Sequence, residues 1–458
     1  MTDKLSRREL LRRLGAAGAA AGIGPLALSG EARADPPSKA KPPAGAQMVS
    51  IDGGPPHAAR LAGGKVIQPQ RELGVLHKTQ VLVVGGGPAG VCAAVAARRA
   101  GADVTLVERY GHFGGLATGG LVVYVLSMHA KGEKGKVLAT QGIGKEMMDR
   151  LAKMNRALVN WRPGVDPTVD AEALKYLMVE MVAEANIRTF LHCWGVDAIV
   201  EGPAVRGAVF ESKSGRQAIL ADVVVDATGD GDIFAAAGCG HLHKKKHHIG
   251  LVCRIGNLDR VDRAKAKGAK VHGLGSRTPI PGVNWVNMHG PDADGLDVAE
   301  LSRLEMAHRR QIWKSVERIR QTPGYEQVYL METAPQLGVR ITRILSGTKT
   351  LRYADIHAGK KFPDAIGVGG SSGGRMPGWQ IPYGTLLPQK VDRILAAGRC
   401  ISAERRMLYN MRLIPTCFVT GHAAGVAAAL AVKDNCTPRE VDVTKLRKLL
   451  VEQGAYLG

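Results

Sequence analysis

Ten residues, Val81–Leu82–Val83–Val84–Gly85–Gly86–Gly87–Pro88–Ala89–Gly90, constrain the fold of this chain more than any others. Four apolar side chains in a row suit a strand buried on both faces, and the spacing Gly85-x-Gly87-x-x-Gly90 suits the turn that follows it. Residues 91–99 are alanine-rich and read as a helix, and residues 104–107 read as a second apolar strand ending at Glu108. Strand, glycine turn, helix, strand and acid, in that order, predict a dinucleotide-binding βαβ unit. Gly85 supplies the turn, Gly87 leaves the backbone bare where a pyrophosphate approaches, and Gly90 lets helix pack on strand. The helix N-terminus at Pro88 and Ala89 offers N–H groups to phosphates, while Glu108 is placed to accept hydrogen bonds from a ribose diol.

At 458 residues the chain is long for one domain, and its 45% hydrophobic content and 58 glycines fit a two-domain α/β protein with many turns. The formal charge of +21 favours anionic substrates, polymers or membrane surfaces, although a basic surface with no dedicated partner fits equally; no nucleic-acid partner is expected. Seven cysteines form no C-x-x-C pair, which argues against a disulfide framework and against a zinc site. No metal is expected.

In residues 1–34, Ser6–Arg7–Arg8 and Arg12–Arg13 precede a weakly apolar run too short to span a bilayer, and Ala32–Arg33–Ala34 follows. These are the three parts of an export signal, and the paired arginines resemble a twin-arginine signal, with Leu10 where phenylalanine is common. A periplasmic location and the twin-arginine export machinery as a partner follow as expectations, with an uncleaved amphipathic anchor as the alternative. Residues 35–75, rich in Pro, Gly and Ala, read as an extended linker.

Beyond Glu108, Arg109 can reach a phosphate or an adenine edge, and Gly114–Gly115 lets backbone lie flat against a bulky cofactor. His112 reads as a loop histidine, with cofactor contact or covalent attachment as alternatives. Helices are predicted over residues 143–154 and 170–186, and strands over 187–192, 205–212 and 218–225. The last strand delivers Asp226–Ala227–Thr228–Gly229–Asp230, a turn able to close over the dinucleotide; a metal loop there lacks the later bidentate Glu of a calcium hand. Residues 241–248, with Lys244–Lys245–Lys246 among four histidines, read as a solvated basic strand or an anion-facing wall, because adjacent lysines repel a metal cation. Residues 367–374 are glycine-rich but are followed by Pro377, so a loop is expected there. A strand leading to Gly398 and Arg399, then a Gly/Ala-faced helix from about residue 418, bring the chain back to the cofactor, with the helix dipole directed at an electron-poor ring.

Taken in order, Gly85 to Gly90, Glu108–Arg109–Tyr110, Gly114–Gly115, Asp226 to Asp230, Ile381–Pro382–Tyr383, Ala397 to Ser402 and Thr416–Cys417 resemble the FAD-dependent oxidoreductase family with a glutathione-reductase-type nucleotide fold. The resemblance covers about residues 76–457. It implies FAD as cofactor, with Gly85, Gly87, Gly90 and Glu108 at its AMP and ribose, Gly115 at the pyrophosphate, and Gly398, Thr416 and Cys417 near the flavin. Pro88, Ala89, Arg109, Gly114, Thr228, Gly229, Asp230 and Arg399 complete the expected cofactor set. The fold class is α/β, a Rossmann-like FAD-binding domain over residues 76–240 and 380–458 interleaved with a smaller α+β substrate domain over residues 241–379. The His-Pro-Thr and Arg-rich motifs of succinate dehydrogenase and fumarate reductase flavoproteins are not visible, so dicarboxylate chemistry is not implied. With no C-x-x-C and no second nucleotide fold, neither is disulfide reduction by NADPH.

For the chemistry itself, Arg340 and Arg343 are candidates to bind an anionic group, His357 to act as base, His422 to act as base or to contact the flavin, Tyr383 to hydrogen-bond a substrate oxygen, and Arg412 to polarise one or to support the reduced flavin. The expectation is an exported FAD-dependent dehydrogenase or oxidase that takes a hydride from a small or sugar-like substrate, an anionic one included, and passes electrons to a quinone, a cytochrome, another redox protein or oxygen. A non-catalytic flavoprotein that binds or assembles an anionic partner, and a lyase or isomerase using FAD without net redox, are the competing classes.

Overall fold

The computed structural model describes residues 58–154, 159–162 and 164–458. The proposed signal, residues 1–34, lies outside the described residues. Residues Met1–Glu72 and Leu73–Gly458 form two separate units. In the first, where an extended linker is expected, Arg60–Ala62 and Lys65–Ile67 pair as an exposed antiparallel hairpin.

The second unit is built on a seven-stranded sheet. Strand β1 (Val75–Val84) runs parallel to β2 (Val104–Val107), across helix α1 (Pro88–Arg99). Helices α2 (Ile143–Met154) and α3 (Ala171–Glu184) follow, and β3 (Arg188–Phe190) joins the sheet parallel to β2. Asp170 caps α3 by accepting hydrogen bonds from the backbone N–H groups of Glu172 and Ala173, which ties up donors that a helix start otherwise leaves free. The strands β4 (Trp194–Glu201), β5 (Ala204–Ser212) and β6 (Gly215–Asp226) make an antiparallel meander. Strand β6 serves both parts of the sheet, because its second half lies parallel to β1 and places Asp226 level with Val84.

A four-stranded antiparallel sheet makes the other side of the molecule, from Ser276–Arg277, β7 (Leu251–Gly256), β8 (Asn284–Met288) and β9 (Tyr329–Thr333). Helix α4 (Val298–Arg320) covers it, packing Val316 and Ile319 on Ile255 and Val328. Two hydrogen bonds latch this sheet to the glycine segment after Glu108. Trp285 Nε1 donates to Leu121 O at 2.6 Å, and Tyr124 Oη donates to Arg277 O at 2.6 Å.

The expected domain boundary at 379/380 falls inside a hairpin. Strands β10 (Ala365–Gly369) and β11 (Trp379–Pro382) pair antiparallel and pack with the dinucleotide-binding side. Its glycines, read from sequence as a loop, are there for space: a Cβ on Gly367 would stand 2.3 Å from Val419 Cγ1, and one on Gly369 would stand 2.1 Å from the Trp379 ring. Strand β12 (Ile394–Ala396) then pairs parallel with the end of β6 and leads into helix α5 (Ile414–Lys433). Helix α5 has the length and hydropathy of a membrane span, but its apolar stretch is packed inside the protein, as that of a core helix is. It meets α1 at backbone contact, since a Cβ on Gly421 or Gly425 would lie 2.1 Å from the carbonyl oxygens of Ala89 and Ala93 respectively. Helix α6 (Val443–Glu452) packs on its outer side.

Candidate active site

Helices α1 and α5 open side by side onto one cleft of about 660 Å³. Neither is closed by a side-chain cap, and neither has an acid in its first turn, so both positive helix ends remain available. The turn below α1 is set by sterics. Gly85 has φ +103°, and a Cβ on Gly90 would lie 1.7 Å from Gly85 O, so no other residue fits there without moving the strand–helix junction. Gly87 differs, because a Cβ there would meet nothing within 4 Å and would point into open space. That bare backbone, next to a free helix end, fits a pyrophosphate.

Glu108 is 5% exposed and is fixed from both sides. Its Oε2 accepts the Gly86 N–H at 2.6 Å and its Oε1 accepts the Tyr110 N–H at 2.9 Å. Each oxygen keeps a second lone pair for a diol. Arg109 lies over the Tyr110 and Trp194 rings, 4.9 and 5.3 Å from their centroids. Trp194 and Asp232 line a smaller adjoining recess with Glu108 and Arg109. Burial and the neighbouring Asp230 and Asp226 carboxylates push Asp232 up to about 6, although its ion pair with Arg343 at 2.9 Å opposes this.

Across the cleft, the Ala227–Thr228–Gly229 turn is shaped by Asp226, which is fully buried. Its Oδ1 accepts from Thr228 N and Thr228 Oγ1, and its Oδ2 accepts from the N–H groups of Ile233 and Phe234 at 2.9 Å. Asp226 is thereby committed to the backbone and not to a ligand. The expected cofactor residues Gly85, Gly87, Pro88, Ala89, Glu108, Arg109, Gly115, Thr228, Gly229, Gly398, Arg399 and Cys417 all line the cleft. The other four stand behind it. Gly90 sits beneath the turn, and Gly114 donates its N–H to Gly86 O at 2.8 Å. Asp230 accepts from Thr342 Oγ1 at 2.6 Å and pairs with Arg399 at 2.9 Å, and Thr416 Oγ1 donates to Asn410 O at 3.1 Å.

Three buried polar atoms on cleft residues have no protein partner: Gln336 Oε1, Arg399 Nη1 and Arg412 Nε. Buried polar atoms are ordinarily satisfied, so their clustering here marks a place shaped for a polar ligand. The bare Gly87, the two free helix ends, the acid at Glu108 and these three donors and acceptors together fit FAD.

A sequence model of the family described as FAD dependent oxidoreductase matches residues 80–270 and 258–450. The chain belongs to this family. As a member of it, the protein is an oxidoreductase that binds FAD in a Rossmann-like α/β fold. Over 228 residues it is 28% identical to digeranylgeranylglycerophospholipid reductase 1 of Methanopyrus kandleri, covering 48% of this chain and 56% of that protein. The chain thus spans little more than half the length of this relative. Among solved structures, a geranylgeranyl bacteriochlorophyll reductase-like protein from Thermoplasma acidophilum superposes with TM-score 0.43 and 14% identity over 82% of this chain and 84% of its own. The p-nitrophenol 4-monooxygenase PnpA from Pseudomonas putida superposes with TM-score 0.45 and 13% identity over 82% and 84%.

A larger cavity of about 980 Å³ adjoins the FAD cleft and shares Leu116, Arg399, Arg412 and Ile414 with it. Val122, Tyr124 and Trp285 give it apolar walls, and Arg340, Asn287 and His289 give it polar ones. No Asp or Glu lines it among the described residues. Burial, and then the charge of Arg340, draws the Arg412 guanidinium down to about 10; it remains cationic at neutral pH, desolvated and beside a second cation. Burial lowers Arg340 as well. A bound anion would relieve both effects.

The remaining chemical candidates lie elsewhere. His422 is 3% exposed, with Nε2 2.9 Å from Gln453 Oε1 and its ring against Gly142, on the side of α5 turned away from the cleft. Burial pushes it down to about 4, so it is a neutral core histidine. His357 ends a short helix, its ring 4.1 Å from that of Tyr353, and lines neither cavity. Tyr383 donates to Pro438 O at 2.7 Å from a fully enclosed site, and Arg343 is held in its ion pair with Asp232. Helical or strand spacing could not show which way these side chains turn. Burial pushes the Cys417 thiol up to about 12, and all seven cysteines are free, so no reactive thiolate stands in the cleft. The sequence reading missed Trp194, Trp285, Tyr124, Asn287, His289 and Gln336. Only the aromatic residues carried a signal, and it was equally a core signal.

Proposed function

We propose that this protein is an exported dehydrogenase or oxidase whose substrate is a small molecule carrying an anionic group. One observation carries the reading: Arg340 and Arg412, both half-buried, face a cavity that opens onto the FAD cleft, with no carboxylate among the residues that line it. Each charge-assisted hydrogen bond to a substrate carboxylate would contribute about 1.5–3 kcal/mol, and more weight falls on such bonds where water is excluded. The apolar walls at Val122, Tyr124 and Trp285 would hold the remainder of the molecule.

Bound FAD would supply a two-electron acceptor for a substrate hydride. The residues of this chain have separate tasks around it. The backbone of Gly85 to Ala89, Glu108 and the Thr228–Gly229 turn would hold the dinucleotide, in the manner of glutathione-reductase-type folds. The uncapped start of α5 would place partial positive charge near a ring that becomes more negative on reduction. His289 is the only imidazole among the residues lining the substrate cavity, and its ring nitrogens lie 3.4 Å from Arg340 Nη2 and from Asn287 Nδ2. It takes the role of base that His357 and His422 cannot fill from their positions. Electrons would leave to a quinone, a cytochrome or oxygen.

Anaerobic mixing of the FAD-loaded protein with a panel of small hydroxy acids and sugar acids tests this reading. Loss of the oxidised-flavin band with an acid but not with its amide is the expected result; bleaching only by uncharged compounds would overturn it. Export is tested separately, since a double Arg7→Lys, Arg8→Lys variant should leave precursor in the cytoplasm.

A further inference from the structure

The lysine run Lys244–Lys245–Lys246 has no place in the flavin site, yet the fold does not leave it as a loose loop. Its two flanks are pinned: His241–His243 pairs with Arg343–Leu345, and His247–His248 pairs with Asp292–Ala293. Between them lies a solvent-open recess of about 470 Å³, distinct from the FAD cleft and from the substrate cavity. Lys244, Lys246 and Arg405 converge on it, and none of the three has an ion-pair or side-chain hydrogen-bond partner among the described residues. The one acid that lines it, Asp292, is already paired with His248 at 2.9 Å. His247, which also lines it, is 5% exposed, and its Nε2 has no partner. Ile341, Leu408 and Tyr409 supply an apolar wall, the Tyr409 ring 5.8 Å from that of His247.

Like charges gathered into a recess repel one another, and a buried ring nitrogen without a partner is costly, so both features point to a missing anion. We infer that this recess binds a phosphate-type oxyanion carried by a small molecule, with Lys244, Lys246 and Arg405 as its counter-charges and His247 Nε2 as a hydrogen-bonding partner. The apolar wall suits an ester with a ring or short alkyl part better than bare inorganic phosphate. The recess and the substrate cavity are formed by adjacent residues of the same two segments, Arg340 with Ile341 and Leu408 to Arg412. An anion bound here would therefore steady the segments that carry both substrate-side arginines.

The test is calorimetric titration of inorganic phosphate, and then of phenyl phosphate, into FAD-saturated protein at low ionic strength, so that the dinucleotide cleft is already filled. One saturable site per chain that persists in Arg340→Gln is expected, tighter for phenyl phosphate. A Lys246→Gln, Arg405→Gln variant, altered only at exposed side chains, should weaken it by about tenfold or more, whereas Arg340→Gln in the substrate cavity should not. No saturable binding to the wild type, unchanged affinity in the double variant, or loss of binding in Arg340→Gln alone would each overturn the assignment. So would attachment to phosphatidic acid vesicles without any response to the soluble ligands. Flavin content, measured on the same samples, reports separately on the reading of the neighbouring sites.

Discussion

The FAD cleft and the proposed substrate cavity share four lining residues but are built by different means. The cleft is made of backbone: a left-handed glycine at Gly85, a bare one at Gly87, two uncapped helix ends and one acid held by main-chain N–H groups. The cavity is made of side chains that come from β7, β8, the segment after Glu108, the segment after β9 that carries Arg340, and the residues before α5. A backbone site tolerates almost no substitution at its glycines, while a side-chain site changes specificity by single replacements. The first explains why the cofactor is a property of the family. The second leaves the substrate to this chain.

Gly90→Ala should have the largest effect, because its Cβ would overlap Gly85 O at 1.7 Å in a strand–helix junction with no room to yield. A cost above about 3 kcal/mol and loss of flavin from purified protein are expected; a stable, yellow variant would mean that the junction is softer than its contacts show. Next, His289→Gln should lower turnover by about 10²- to 10⁴-fold with flavin content unchanged, and single-turnover flavin reduction separates this from a binding defect. Arg340→Gln follows, raising KM for an anionic substrate by about tenfold to a hundredfold while leaving the FAD affinity alone.

A last expected effect concerns the pH dependence of stability and leaves activity at neutral pH aside. His422 has its folded pKa pushed to about 4, below the ordinary 6.5, so its contribution is fully present above 6.5 and is lost as pH falls towards 4. The slope is about 1.4 kcal/mol per pH unit, roughly 3 kcal/mol over that window. A His422→Leu variant should melt with a shallower dependence on pH between 7 and 4, and an unchanged slope would remove His422 from the account.

The same contrast explains what could be read from the sequence. The glycine spacing, the strand before it and Glu108 after it express local backbone requirements, so they showed the βαβ unit and most of the cleft lining. The helix start at Asp170 was legible for the same reason, since capping is local. Strand β4 was missed because Trp194 to Glu201 mixes exposed and half-buried positions without clean alternation. The hairpin of β10 and β11 was missed because its glycines, required for contact with Val419 and Trp379, resemble those of a loop. His357, His422 and Tyr383 were drawn to the site by residue type. What placed them elsewhere was the direction in which each side chain leaves its element, and that is set by packing partners far away in sequence, such as Gln453 for His422 and Pro438 for Tyr383.

The central claim is that the cofactor is held by backbone and the substrate by Arg340 and Arg412. It is tested most directly by titrating FAD into wild-type and Arg340→Gln apoprotein and then adding lactate, gluconate and benzoate while recording the flavin spectrum. Equal FAD affinity in the two proteins, with a carboxylate-induced spectral shift in the wild type alone, is the predicted result. Loss of FAD binding in the variant, or a wild-type flavin that responds to none of the carboxylates, would contradict it.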